Sequence, residues 1–169
     1  MSRSTASQRG RSSPRYNATT LPTIGKNGST TTMQPGESTD LETVRGVLLE
    51  RGERGVVIGL AGTDYRIHLK VQAPLEQAEG SPVRGRIEAQ ARRLDRTAAG
   101  GRYMEPLYGR PRRLQGPIVM KNDAENCVTV RSACLVRCRL GSGQQASDFR
   151  VGDFVTFDVE PDALFVPAS

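Results

Sequence analysis

Residues 65–71 read Tyr65-Arg-Ile-His-Leu-Lys-Val71, a strict alternation of apolar and polar side chains. Successive side chains of a strand point to opposite faces. Tyr65, Ile67, Leu69 and Val71 therefore share one face, and Arg66, His68 and Lys70 share the other. The 3.6-residue turn of a helix would scatter both sets around its circumference. The stretch predicts a half-buried β-strand, and it sets the period in which its neighbours are read.

Toward the N-terminus, Arg45-Gly-Val-Leu-Leu-Glu50 reads as a first strand and Arg51-Gly-Glu-Arg-Gly55 as a glycine-rich hairpin loop. Val56 to Leu60 returns, and Ala61-Gly-Thr-Asp64 turns into the alternating strand. Beyond it, residues 72–82 form a connector with one helical turn around Leu75 to Ala78. Val83 to Arg92 is a fourth strand with Gly85, Ile87, Ala89 and Ala91 inward. Thr97 to Gly101 is a flexible turn, and 102–108 is a candidate strand closing this first module. The pattern then starts again: Leu114 to Met120 with an edge-type Pro117, a polar loop over Lys121 to Asn126, Cys127 to Arg131, and Cys134 to Leu140. After a polar connector, Val151-Gly-Asp153 turns into 154–160 with Val155, Phe157 and Val159 inward, and Leu164 to Val166 closes the second module.

The two halves match by pattern. Gly46 corresponds to Gly116, seventy positions on; Arg66 to Leu69 corresponds to Arg137 to Leu140; Ile87, Ala89 and Ala91 correspond to Val155, Phe157 and Val159. Two copies of one strand order indicate duplicated small antiparallel barrels. The order is similar to the OB-fold, and Val151-Gly-Asp-Phe-Val-Thr-Phe-Asp-Val-Glu160 resembles the valine-glycine-aspartate entry to a late strand in cold-shock and related RNA-binding barrels. The aromatic RNA-stacking motifs of the cold-shock family are absent, and Val83-Arg-Gly stands where the first module would carry the same entry. The expected fold is all-β, with two small antiparallel OB-like β-barrels in tandem after a disordered N-terminal arm. The boundaries are 1–40 for the arm, 41–91 for the first module, 92–113 for a junction and 114–169 for the second module.

Charge follows these boundaries. The chain carries +6, with +3 in residues 1–40, balance in 41–91, +5 in 92–113 and −2 in 114–169. Excess charge gathered in an arm and a junction points to a polyanionic partner. Apart from Lys26, Lys70 and Lys121 the cations are arginines, whose guanidinium fork suits phosphate contact and aromatic stacking. Residues 1–40 are dominated by Ser, Thr, Gly, Arg and Pro, too polar to offset their ordering entropy, and disorder is expected. The segment has no acid before Glu37 and resembles an organelle transit peptide, but Pro14, Pro22 and several glycines interrupt any amphipathic helix. A flexible basic arm and a cytoplasmic location are the expectation. Three cysteines, an odd count without a secretory signal, argue for a reducing compartment. No apolar run is long enough to cross a bilayer, so a soluble chain with no membrane partner is expected.

In OB-folds the second and third strands form the usual oligonucleotide platform. The outward face of the matched strand is cationic in both copies, Arg66, His68 and Lys70 in the first and Arg137 and Arg139 in the second. The junction adds Arg92, Arg93, Arg102, Arg110, Arg112 and Arg113, with Tyr103 and Tyr108 among them. Arginines tracking phosphates while tyrosines stack bases would bind RNA or single-stranded DNA. The same residues also fit a solvated strand face that discourages edge pairing, or an interface in which Tyr103 and Tyr108 anchor a protein partner or a second copy. Packing of the two modules would bury some of Tyr103, Met104, Leu107 and Tyr108. Catalytic chemistry has little to stand on. His68 is the single histidine; Cys134 and Cys138 share the apolar face with Val136 and Leu140; with Cys127 they lack zinc-site spacing and a fourth ligand. No phosphate-cradling loop or dinucleotide fingerprint occurs. The chain reads as a non-enzyme with no catalytic residue, cofactor or metal.

Overall fold

The computed structural model describes residues 42–98 and 100–168. The expected basic arm, 1–40, lies outside the described residues. From Val44 on, alternation becomes burial. In β1 (Val44–Arg51) Val44, Gly46 and Leu48 are buried between exposed Arg45 and Val47. β2 (Gly55–Leu60) and β3 (Arg66–Val71) continue the meander, and β3 has Ile67, Leu69 and Val71 buried with Arg66, His68 and Lys70 exposed. The connector that follows carries no helical turn; it is irregular and drops Leu75 into the core. β4 (Pro82–Arg96) is 15 residues long, and short β5 (Tyr103–Glu105) and β6 (Tyr108–Gly109) replace the single strand expected over 102–108. The remaining strands are β7 (Arg113–Asn122), β8 (Cys127–Arg131), β9 (Leu135–Arg139), β10 (Phe154–Val159) and β11 (Leu164–Pro167). One short 3-10 turn, Ala146–Asp148, precedes β10.

The pairings run β1-β2-β3-β11-β4-β10-β7-β8-β9, with additional β1–β4 and β4–β9 pairs. Two circuits close as a result. One passes through β1, β2, β3, β11 and β4 and returns to β1; the other passes through β7, β8, β9, β4 and β10 and returns to β7. Each contains one parallel pair, β3 with β11 and β9 with β4. β4 belongs to both: its first residues pair β1 and β11, Glu88 to Gln90 pair β9, and Ala91 to Arg96 pair β10.

Two consequences differ from the sequence expectation. The boundary drawn between 91 and 92 falls inside β4, which runs on through Arg92, the expected strand end, to Arg96. β11, expected to close the second half, pairs β3 and β4 of the first. The halves are interleaved through these two strands. The two matched glycines nevertheless share local detail. A Cβ on Gly46 would lie 2.6 Å from the Gly59 carbonyl oxygen, and one on Gly116 would lie 2.1 Å from that of Arg131. A bulge follows each glycine, between Leu48 and Glu50 in β1 and between Ile118 and Met120 in β7. One hydrophobic cluster runs through both circuits, from Leu48, Ile58, Ile67, Ile87 and Phe165 to Leu114, Ile118, Val136, Val155 and Phe157.

Candidate nucleic-acid interface

The outward face of β3 is the starting point. Arg66, His68 and Lys70 alternate with core residues, so their Cα atoms follow one another at roughly 6.6 Å along one face. The Arg51-Gly-Glu-Arg-Gly55 hairpin folds beside them, closed by the Gly52 amide donating to the Gly55 carbonyl at 2.8 Å. The Arg51 guanidinium ties this hairpin to the connector, donating to the Leu75 and Gln77 carbonyls at 3.1 and 3.4 Å. Together they form an open groove of about 680 Å³ whose charged lining is Arg51, Arg54, Lys70 and Arg110 against Glu50, with His68 beside them. Lys70 carries an ion pair with Asp162 at 2.7 Å, both side chains about half exposed or more. Pairs that wet contribute about 0–1 kcal/mol, so a phosphate can compete for this ammonium.

The segment before β7 supplies the aromatic. β6 lies parallel to β3 with Tyr108 opposite Arg66, and the Arg66 amide donates to the Leu107 carbonyl at 3.0 Å. The Arg66 guanidinium stands over the Tyr108 ring, 5.3 Å from its centroid. Gly109, at φ +121°, turns the chain where a side chain would be strained, and Arg110 then reaches the groove. Tyr108 keeps more than half of its surface exposed, at 56%.

The fold thus brings together Arg66, His68, Lys70, Tyr108 and Arg110, and it disperses the other residues singled out from sequence. Arg92 makes a two-point pair with Glu160, Nε to Oε1 at 3.0 Å and Nη2 to Oε2 at 3.3 Å. Arg93 pairs with Asp95 at 3.1 Å and Arg113 with Asp158 at 3.6 Å. Tyr103 is half-buried and donates its hydroxyl to Gln115 Oε1 at 3.3 Å. Arg112 is exposed just before β7, Arg139 is exposed at the end of β9, and Arg102 lines a different groove. Arg137 is half-buried, paired with Glu125 and with Glu42 at 4.0 Å, and donates to Cys127 Sγ at 3.3 Å. Burial works against its charge, but the contact with Cys127 and the carboxylates of Glu42 and Glu125 hold it above the usual arginine range. Arg51 and Arg54 belong to the groove without having been singled out. Their signal was two arginines bracketing a glycine turn next to a basic strand.

Other reactive groups are inert or structural. Cys127, Cys134 and Cys138 are free thiols. Burial pushes the Cys138 thiol up, and desolvation pushes that of Cys134, half-buried as a whole residue, up to about 12. Protonated thiols are poor nucleophiles. Among the described residues, no group of three or more His, Cys, Asp and Glu is placed to hold a metal ion, and no helix is long and apolar enough to cross a membrane. The Val151-Gly-Asp153 turn has a structural role: Asp153 Oδ2 accepts from the Arg150 amide and from Arg96 Nε of β4, each at 2.9 Å. No protein-family model, curated protein or solved structure matches the chain.

Proposed function

We propose that the chain is a non-enzymatic nucleic-acid-binding protein that takes RNA or single-stranded DNA along the outer face of β3. The observation that carries this reading is the meeting of Arg51, Arg54, Lys70 and Arg110 with His68 in one open groove, while Arg66, two residues before His68 on the same exposed face of β3, stands over the ring of an exposed tyrosine. Cations in a groove neutralise phosphates without regard to sequence, and an exposed ring offers any base a face to stack on. The two five-membered circuits, each with a hairpin, a third strand and one parallel pair, support an OB-like reading of each half. In such a unit the second and third strands and the loop between the first two strands meet the oligonucleotide. The net charge of +3 in residues 1–40 adds sequence-independent affinity.

The test is a mobility shift with mixed-sequence RNA and DNA single strands, comparing the full chain with a version starting at Leu41. Binding by both, stronger in the full chain, supports the reading. No shift with any oligonucleotide at low salt overturns it. A second reading, a scaffolding module that docks a protein partner or a second copy, draws on exposed Leu107 and Tyr108 at 42% and 56%. A stable dimer in sedimentation together with no oligonucleotide binding would favour it.

A further inference from the structure

A second groove lies where the two circuits meet. It is bordered by the start of β1, the turn between β2 and β3, and the hairpin between β8 and β9, with a volume of about 580 Å³, within the range of about 300–1,000 Å³ common for small-ligand sites. Its lining holds three arginines, Arg45, Arg102 and Arg131, and no carboxylate. Several other arginines stand beside acids, as Arg92 does with Glu160, Arg93 with Asp95 and Arg96 with Asp153. Among the described residues, none of the three groove arginines has an acid partner.

We infer that this groove is a discrete oxyanion site taking a multiply charged phosphate group, separate from the groove beside β3. Three guanidinium forks from three different elements line this one groove and offer planar donor sets to an anion seated in it. Without an anion, no carboxylate of the lining offsets their like charges. The Tyr65 hydroxyl accepts the Met104 amide at 3.3 Å and keeps its own proton to donate. Val44, Leu60 and Leu135 supply an apolar lining, which lowers the local dielectric and strengthens a charged contact there. The ligand chemistry is that of a phosphate chain, whose source is either a free polyphosphate or the phosphorylated end of a nucleic-acid strand.

The test uses the full chain and inorganic tripolyphosphate in isothermal titration. Saturable one-to-one binding is expected, weakened roughly tenfold for each arginine neutralised in Arg102→Gln and in the Arg45→Gln/Arg131→Gln pair, and unchanged in Lys70→Gln/Arg110→Gln. Arg102 precedes β5 in a loop, so its variant tests the site without touching a strand. In the same variants, a 5′-phosphorylated oligonucleotide is compared with its 5′-hydroxyl twin. A preference for the phosphorylated form that vanishes in Arg102→Gln assigns the source to strand ends; tripolyphosphate binding with no such preference assigns it to free polyphosphate. Absence of saturable binding to either probe, or an affinity that falls with Lys70 and Arg110 instead, overturns the site. The last result would leave the β3 groove standing, so the two readings fail separately.

Discussion

The Arg66 guanidinium lies 5.3 Å from the centre of the Tyr108 ring, although 42 positions separate them in the chain. Parallel pairing of β6 with β3 sets the contact, and no element of either side chain's own neighbourhood requires it. A cation under one face leaves the other face for a base. Tyr108→Ala should therefore weaken single-strand binding by about 1–3 kcal/mol, the usual cost of losing one stacking platform, while thermal stability stays close to wild type because the ring is largely solvated. Fluorescence anisotropy with a labelled oligonucleotide reads the first quantity and a melting curve the second. Equal affinity in both proteins would remove Tyr108 from the interface.

On the proposed reading, charge in the β3 groove should set the salt response of binding. Each phosphate neutralised on a single strand contributes about −0.7 to the slope of log affinity against log salt. Arg110→Gln should make the slope shallower by about that amount. Asp162→Asn should act in the opposite direction, because it releases Lys70 from its 2.7 Å pair and removes an anion beside the strand. Binding isotherms across a salt series check both, and a slope that ignores both substitutions would place the phosphates elsewhere.

Much of this was legible beforehand, and the failures have physical causes. The alternation at Ile67 and Leu69 and the matched glycines Gly46 and Gly116 each report a local constraint, and each is visible in a few residues. The continuation of β4 past Arg92 was hidden because a bulge opposite Asp158 and Val159 breaks its phase, leaving Ala91 and Leu94 both buried at a spacing no simple strand has. The partner of β11 is set by pairing with residues far upstream, which leaves no trace in the local pattern of Leu164 to Val166. In the candidate site, the basic β3 face followed from period alone. That Arg137 is taken by Glu42 and Glu125 while Arg54 is free to line the groove depends on which distant segments meet.

Interleaving predicts that the halves do not fold apart. A fragment of residues 114–169 lacks β4, the partner of both β9 and β10, and should show no strand signal by far-ultraviolet circular dichroism. Phe165→Ala should cost about 3–5 kcal/mol as a buried aromatic truncation, since Phe165 is only 2% exposed and sits between β3 and β4. Chemical denaturation measures the loss. A cooperatively folded 114–169 fragment would contradict the shared-strand arrangement.

The glycine pair makes a sharper test of the repeat. Gly116→Ala would press its methyl against the Arg131 carbonyl at 2.1 Å, and Gly46→Ala against the Gly59 carbonyl at 2.6 Å. Both contacts are with backbone, which cannot swing aside, so each variant should lose at least about 1–3 kcal/mol. Gly143→Ala is the control, because nothing lies within 4 Å of the added carbon and its midpoint should hardly move. Denaturation midpoints of the three proteins decide the matter.

Asp153 gives the acid limb of stability its direction. The Arg150 amide first, and the Arg96 guanidinium second, favour its ionised form and hold its carboxyl below the usual aspartate range. In the unfolded chain those partners are gone and the group titrates near its ordinary value of about 3.9. A carboxyl that binds its proton less readily when folded stabilises the protein fully above that ordinary value, and the contribution disappears as pH falls through the lower folded value. Asp153→Asn, which has no charge to lose, should be less stable than wild type at about pH 6 and should converge on it toward about pH 3. Denaturant midpoints at the two pH values measure the gap. A gap of equal size at both would mean that the side chain holds the turn and Arg96 by shape rather than by charge.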